Sequence, residues 1–93
     1  MKKITMFYLD DCGYCAKARR ALEDLYEENP AYRQVELEKI EESQQPELAE
    51  QYDYYAVPSF FDGKEKLFEA RLFMSYEAIR DEVRKVLDYA LAE

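Results

Sequence analysis

The sequence predicts an α/β fold: a mixed four-stranded sheet with helices on both faces. Three observations carry that prediction. Ile4 to Leu9 is apolar on both alternating sides, as a strand buried in the middle of a sheet must be. Apolar residues recur at helical spacing between Ala16 and Glu28 and again after Ser75. Asp62-Gly63 separates two strand-like runs, the strongest short-range signal for a hairpin.

Each element follows in order. Lys2 to Leu9 sets Ile4, Met6 and Tyr8 on one side and Thr5, Phe7 and Leu9 on the other. Asp10 and Asp11 come next as loop or cap residues, aspartate being a good N-cap. The first helix, Ala16 to Glu28, places Ala18, Ala21, Leu22 and Leu25 on one stripe, and Asn29-Pro30 ends it. Tyr32 to Leu37 is expected as the second strand, with Val35 and Leu37 alternating against Gln34 and Glu36. Strand, helix and strand of these lengths imply a right-handed parallel crossover. Glu41 to Tyr52 reads as a second helix with Pro46 in its first turn, where no N–H is needed. Val57 to Phe61 is a strand with proline near its start, and Lys64 to Leu72 is its hairpin partner. Ser75 caps the last helix, whose Ile79, Val83, Val86, Leu87 and Ala90 share one face. The order is β-α-β-α-β-β-α. No repeat or linker interrupts it, so residues 1–93 form one domain, long enough to bury a core.

Composition narrows the function. Thirteen Lys and Arg against 21 Asp and Glu leave a formal charge of −8, which argues against nucleic-acid partners, since phosphate binding needs clustered basic residues. Six apolar or hydroxyl residues follow Met1-Lys2-Lys3, too few for a secretory core, and no run approaches a membrane span. A cytoplasmic location without membrane contact is therefore expected. In a reducing compartment a lone cysteine pair is transient and catalytic more often than structural.

That pair is Cys12-Gly13-Tyr14-Cys15, between the first strand and the first helix. Residues three apart are neighbours on one helix face, and a helix start offers unpaired N–H groups and partial positive charge. Both suit reversible dithiol chemistry. Structural zinc wants four ligands, and two cysteines with no histidine supply too few, so no metal is expected. Two inert core thiols are the remaining alternative.

With the cysteine pair after the first strand, the order resembles the thioredoxin superfamily, in particular the small thioredoxins and glutaredoxins. Further matches are Pro46-Glu47-Leu48-Ala49 leading to Tyr52, and Val57-Pro58 ahead of Asp62-Gly63. The resemblance implies a thiol-disulfide oxidoreductase with Cys12 as exposed nucleophile and Cys15 as shielded resolving thiol. It implies a cis proline at Pro58, lying against the cysteine loop and exposing the Val57 backbone to an extended substrate. The substrate-binding set it implies is Gly13, Tyr14, Val57 and Pro58. It also leaves open a glutaredoxin-type reading, either glutathione-dependent or carrying a [2Fe–2S] cluster between two chains.

The departures decide what is expected of the partners. Glutaredoxins usually have Pro-Tyr between the cysteines; here Tyr14 matches and Gly13 does not. Their glycine-rich segment after the hairpin, which holds glutathione, reads Phe68-Glu69-Ala70-Arg71-Leu72 in this chain. Asp10 and Asp11 replace the basic residue often found before the motif, and would repel glutathione's carboxylates. Asp11 also opposes negative charge on Cys12, which suits a reductant more than a strong oxidant. Tyr14 stays open between a substrate platform and an ordinary tyrosine, one of nine. The expected protein is a monomer without a bound cofactor, acting on protein disulfides and recharged by an unidentified reductase or by glutathione.

Overall fold

The computed structural model describes residues 2–92; Met1 and Glu93, the ends of the expected domain, lie outside the described residues. The inner strand β1 (Ile4–Tyr8) pairs parallel with β2 (Leu37–Glu41) on one side and antiparallel with β3 (Ser59–Asp62) on the other. The antiparallel partner of β3 is β4 (Glu65–Glu69), which gives the sheet order β2-β1-β3-β4. Ile4, Thr5, Met6 and Phe7 are all buried, so β1 is covered on both faces, as its unbroken apolar run requires.

Two cores result. On one face Ile4, Met6, Phe60 and Phe68 meet helices α1 (Gly13–Glu28) and α3 (Tyr76–Leu91). The helices present the stripes expected of them: Ala18, Ala21, Leu22 and Leu25 on α1, and Ile79, Val83, Val86, Leu87 and Ala90 on α3. On the other face Phe7, Ile40 and Phe61 are covered by Leu48, Tyr52, Tyr54 and Val57, from the short helix α2 (Pro46–Ala49) and the loop after it. The Phe7 ring lies 4.7 Å from that of Tyr52 and 5.0 Å from that of Tyr54, within the range of favourable ring packing. That loop leads into β3 and brings Val57 against Cys12, so this aromatic cluster supports the loop beside the cysteines.

Several elements differ from expectation, each for a local reason. Residues 30–34 form a 3₁₀ turn instead of the start of a strand, because Pro30 opens it and the Asn29 side chain accepts from the Ala31 N–H at 3.2 Å. Tyr32 and Val35 are buried in the helical core, and the Tyr32 hydroxyl donates to Asp88 on α3 at 2.6 Å. The second strand therefore starts at Leu37, five residues later than Tyr32. The long second helix is split: a 3₁₀ turn over Glu42–Gln44 is separated from α2 by Gln45, whose backbone (φ −137°, ψ 59°) is not helical, since the proline that follows disfavours the helical conformation there. Strand β3 begins at Ser59, just after Pro58, and β4 ends at Glu69 short of Leu72. The hairpin turn forms where expected, with Gly63 taking a φ of +59° that favours glycine.

Candidate active site

Helix α1 starts three residues earlier than its apolar periodicity suggests, and its N-cap is Cys12 rather than either aspartate. The Cys12 backbone is extended, and its Sγ accepts the Cys15 N–H at 3.3 Å. A sulfur thus takes the place an aspartate or serine oxygen usually holds at a helix start. Negative charge is favoured at such a position by the helix dipole and the N–H aimed at it. Cys12 is partly exposed and Cys15 fully buried; both are free thiols.

Burial dominates at Cys15. It pushes the thiol up from 9.0 to about 12, and the contact with Cys12 pushes the same way. The Leu9 backbone and the Arg19 guanidinium work in the opposite direction without overcoming it. The two sulfurs of one motif are thus set apart: one reachable, the other shielded and protonated.

Across from them the Val57–Pro58 bond is cis. The Cys12 thiol donates to the Val57 carbonyl at 3.8 Å, which brings residues 45 positions apart into contact. Around that carbonyl the backbone is tied down: the Ala56 carbonyl accepts from Ser59 Oγ at 2.6 Å, and the Pro58 carbonyl accepts from the Ala70 N–H at 3.0 Å. Among the described residues the Val57 N–H has no partner. A free donor and a carbonyl held only by a thiol sit side by side next to Cys12, an arrangement an extended peptide can pair with.

The two residues between the cysteines behave differently. Gly13 is exposed at the first helical position, and a Cβ added there would meet nothing within 4 Å. Tyr14 is half-buried and turned toward the segment after β4, where its hydroxyl accepts the Phe73 N–H at 2.6 Å. Lys17 completes that tie: its Nζ lies 5.3 Å from the Tyr14 ring centroid and donates to the Met74 carbonyl at 3.3 Å. Phe73 has a φ of 66° and is 92% exposed, so the tip joined to the motif is apolar and open to solvent.

Two acidic contributors, Glu41 and Glu69, escaped the sequence reading. Glu41, at the end of β2, accepts the Asp10 N–H at 3.4 Å and both the N–H and the hydroxyl of Ser43. Its carboxyl is held below the usual range, chiefly by the Ser43 hydroxyl, so it adds fixed negative charge beside Asp10 and Asp11. Glu69 reaches from β4 to the loop carrying Val57, and Lys17 reaches from α1 to Met74. No spacing rule links these residues to the motif, because the sheet and the crossover bring them there. A cleft of about 420 Å³ lies on the α2 side, lined by Glu42, Pro46, Glu50, Tyr54 and Tyr55 among others, and neither cysteine lines it.

Residues 4–67, more than half of the chain, match the family described as Glutaredoxin. The chain belongs to the glutaredoxin family. It is a small thioredoxin-superfamily protein of the thiol-disulfide oxidoreductase type, with the α/β fold of that superfamily. The match stops ahead of Phe68-Glu69-Ala70-Arg71-Leu72, a stretch without glycine. Among solved structures the fold is similar to the thioredoxin of Fasciola hepatica, with a TM-score of 0.63 and 23% identity over 94% of this chain and 78% of that one. It is also similar to thioredoxin 1 of the thermophilic eubacterium Thermosipho africanus, with a TM-score of 0.55 and 16% identity over 96% and 98% of the two chains. No curated protein sequence matches the chain. Among the described residues no helix is long and apolar enough to cross a membrane.

Proposed function

We propose that this chain reduces protein disulfides through a reversible Cys12–Cys15 dithiol/disulfide. The observation that carries the reading is the pairing of a reachable Cys12 sulfur at the start of α1 with a buried, protonated Cys15, both beside the cis Val57–Pro58 loop. The Cys12 thiolate attacks one sulfur of the substrate disulfide, a Cys12–substrate bond forms, and the departing sulfur takes up a proton. Cys15 then loses its proton and attacks the Cys12 sulfur. The substrate's second thiol leaves with a proton, and the enzyme holds the new disulfide. Two electrons and two protons pass to the substrate; a reductase or glutathione restores the dithiol. The chemistry needs no metal or bound cofactor, and it belongs in a reducing, cytoplasmic compartment where the dithiol form persists.

Substrate class follows from the surroundings. The unpartnered Val57 N–H and its neighbouring carbonyl suit an extended polypeptide, whose backbone pairs irrespective of sequence. Glutathione is small and anionic, and gains its affinity from a few charge-assisted contacts. Asp10, Asp11 and Glu41 oppose those contacts, and the Phe73 N–H is already taken by Tyr14. Lys17, a basic residue near enough to attract an anion, is turned to the Met74 carbonyl.

The test compares catalytic efficiency on an intramolecular protein disulfide with that on a glutathionylated peptide, at low and high salt. An insulin-type reduction assay runs in parallel with a thioredoxin reductase system and with glutathione as electron sources. Preference for the protein disulfide is expected, with the gap narrowing as salt screens the acidic rim. Clear preference for the glutathionylated peptide would overturn the substrate assignment. Failure on both substrates would overturn the oxidoreductase reading itself.

A further inference from the structure

The loop that presents Val57 has no secondary structure of its own, yet its backbone is pinned by one side chain. The Glu69 carboxylate, at the end of β4, accepts the Tyr55 N–H at 2.5 Å and the Ala56 N–H at 2.6 Å through the same oxygen, Oε2. Its other oxygen accepts from Lys66 Nζ at 2.7 Å. The side chain is only 18% exposed, so these bonds are sheltered from competing water. Burial works against the charge, but Lys66 and the two backbone amides outweigh it and hold the carboxyl below its usual range.

The geometry has a directional consequence. Two successive N–H groups point at one carboxylate, the Ala56 carbonyl is taken by Ser59, and the Pro58 carbonyl by the next residue of the same β4 end, Ala70. Among the described residues, every backbone polar group from Ala56 to Pro58 is thereby satisfied except those of Val57, whose N–H has no partner and whose carbonyl meets the Cys12 thiol. With both flanks fixed, the Val57 peptide groups are left for an incoming chain.

We propose that Glu69 is a positioning residue for disulfide exchange: its carboxylate sets the Tyr55–Ala56 backbone so that Val57 receives the substrate's main chain beside Cys12. The inference rests on the oxidoreductase reading and adds the element that makes the Val57 edge ready before substrate arrives. A preformed edge spares the ordering entropy of the loop on binding. The contribution therefore falls on substrate capture and leaves the reactivity of the Cys12 sulfur toward small reagents untouched.

The experiment uses the full chain with Glu69→Gln, which keeps the shape and loses the charge, and Glu69→Ala, which loses both. Three quantities are read: KM and kcat on a peptide with an intramolecular disulfide, the rate of Cys12 alkylation by iodoacetamide, and amide hydrogen exchange at Tyr55 and Ala56. The expected result for Glu69→Gln is a KM raised about tenfold with kcat changed less than about twofold, the scale of losing charge assistance on a hydrogen bond. Glu69→Ala goes further in the same direction, and both variants alkylate at the wild-type rate. Exchange at both amides accelerates in Glu69→Ala. A wild-type KM in both variants overturns the assignment. So does a fall in kcat and alkylation together that follows loss of thermal stability, since that marks general unfolding. Should the wild-type chain reduce no disulfide, the oxidoreductase reading fails on its own. Unchanged exchange at Tyr55 and Ala56 in Glu69→Ala would then still refute the role of Glu69 in holding the loop.

Discussion

The difference between the two thiols gives a measurement that needs no substrate. Cys15 is fully buried, and its thiol is pushed up from 9.0 to about 12. Three units correspond to about a thousandfold less thiolate than an ordinary cysteine holds at the same pH, or about 4 kcal/mol between the two protonation states. At pH 8 a thiol at 9.0 is about one-tenth ionised, whereas Cys15 is ionised to about one part in ten thousand. Only the thiolate attacks an alkylating reagent. Iodoacetamide at pH 8, with the modified sites read by tandem mass spectrometry, should therefore label Cys12 first. Folded Cys15 should react at least about a thousandfold more slowly than the same residue in urea, and burial slows it further. The sign against pH follows: because the folded thiol titrates high, its labelling rises about tenfold per pH unit from 7 to 11 with no plateau. Folded Cys15 reacting within tenfold of its unfolded rate, or levelling off near pH 9, would refute the shielding and with it the division of roles.

Other outcomes follow from the same geometry. Cys15→Ser should accumulate a long-lived mixed disulfide with substrate while Cys12→Ser loses turnover, read on a non-reducing gel with the activity assay; equal residual activity in the two would contradict the assignment. Phe7→Ala removes a fully buried ring packed on Tyr52, Tyr54 and Phe61, and should cost about 3–5 kcal/mol in urea unfolding. A cost below about 1 kcal/mol would mean the second core does not hold the site. Gly13 occupies the first helical position with open space around it, so Gly13→Pro should stabilise by about 0.4–1 kcal/mol, seen as a raised urea midpoint. The depressed Glu69 carboxyl contributes stability that is complete above pH 4.5 and lost as the pH falls through its lower folded value. The urea midpoints of wild type and Glu69→Gln should accordingly converge on acidification below pH 4.5 and stay apart above it.

Much of this protein was legible in the order of its residues. An apolar run on both faces required a doubly covered strand, and β1 is one. Period-3.6 stripes on α1 and α3 named their buried residues, because a helix face is set by spacing alone. Asp62-Gly63 marked its turn through the glycine's freedom at positive φ. Local chemistry also spoke at the cysteine pair, whose three-residue spacing is a property of the helix itself.

What the sequence misplaced were segments where local preference competes with partners far along the chain. Tyr32 to Leu37 looks like a strand, yet Pro30, Asn29 and the burial of Tyr32 in the helical core make its first part a turn, and pairing with β1 selects Leu37–Glu41 instead. The site depended on the fold more than any element did. Cys12 meets Val57 across 45 residues, Tyr14 meets Phe73 across 59, and Lys17 meets Met74 across 57. Glu69 reads as an exposed strand residue until the antiparallel β3–β4 pairing carries it beside Tyr55 and Ala56. Spacing along one helix or turn is written in the chain, whereas contact between loops exists only once the sheet has set their distance.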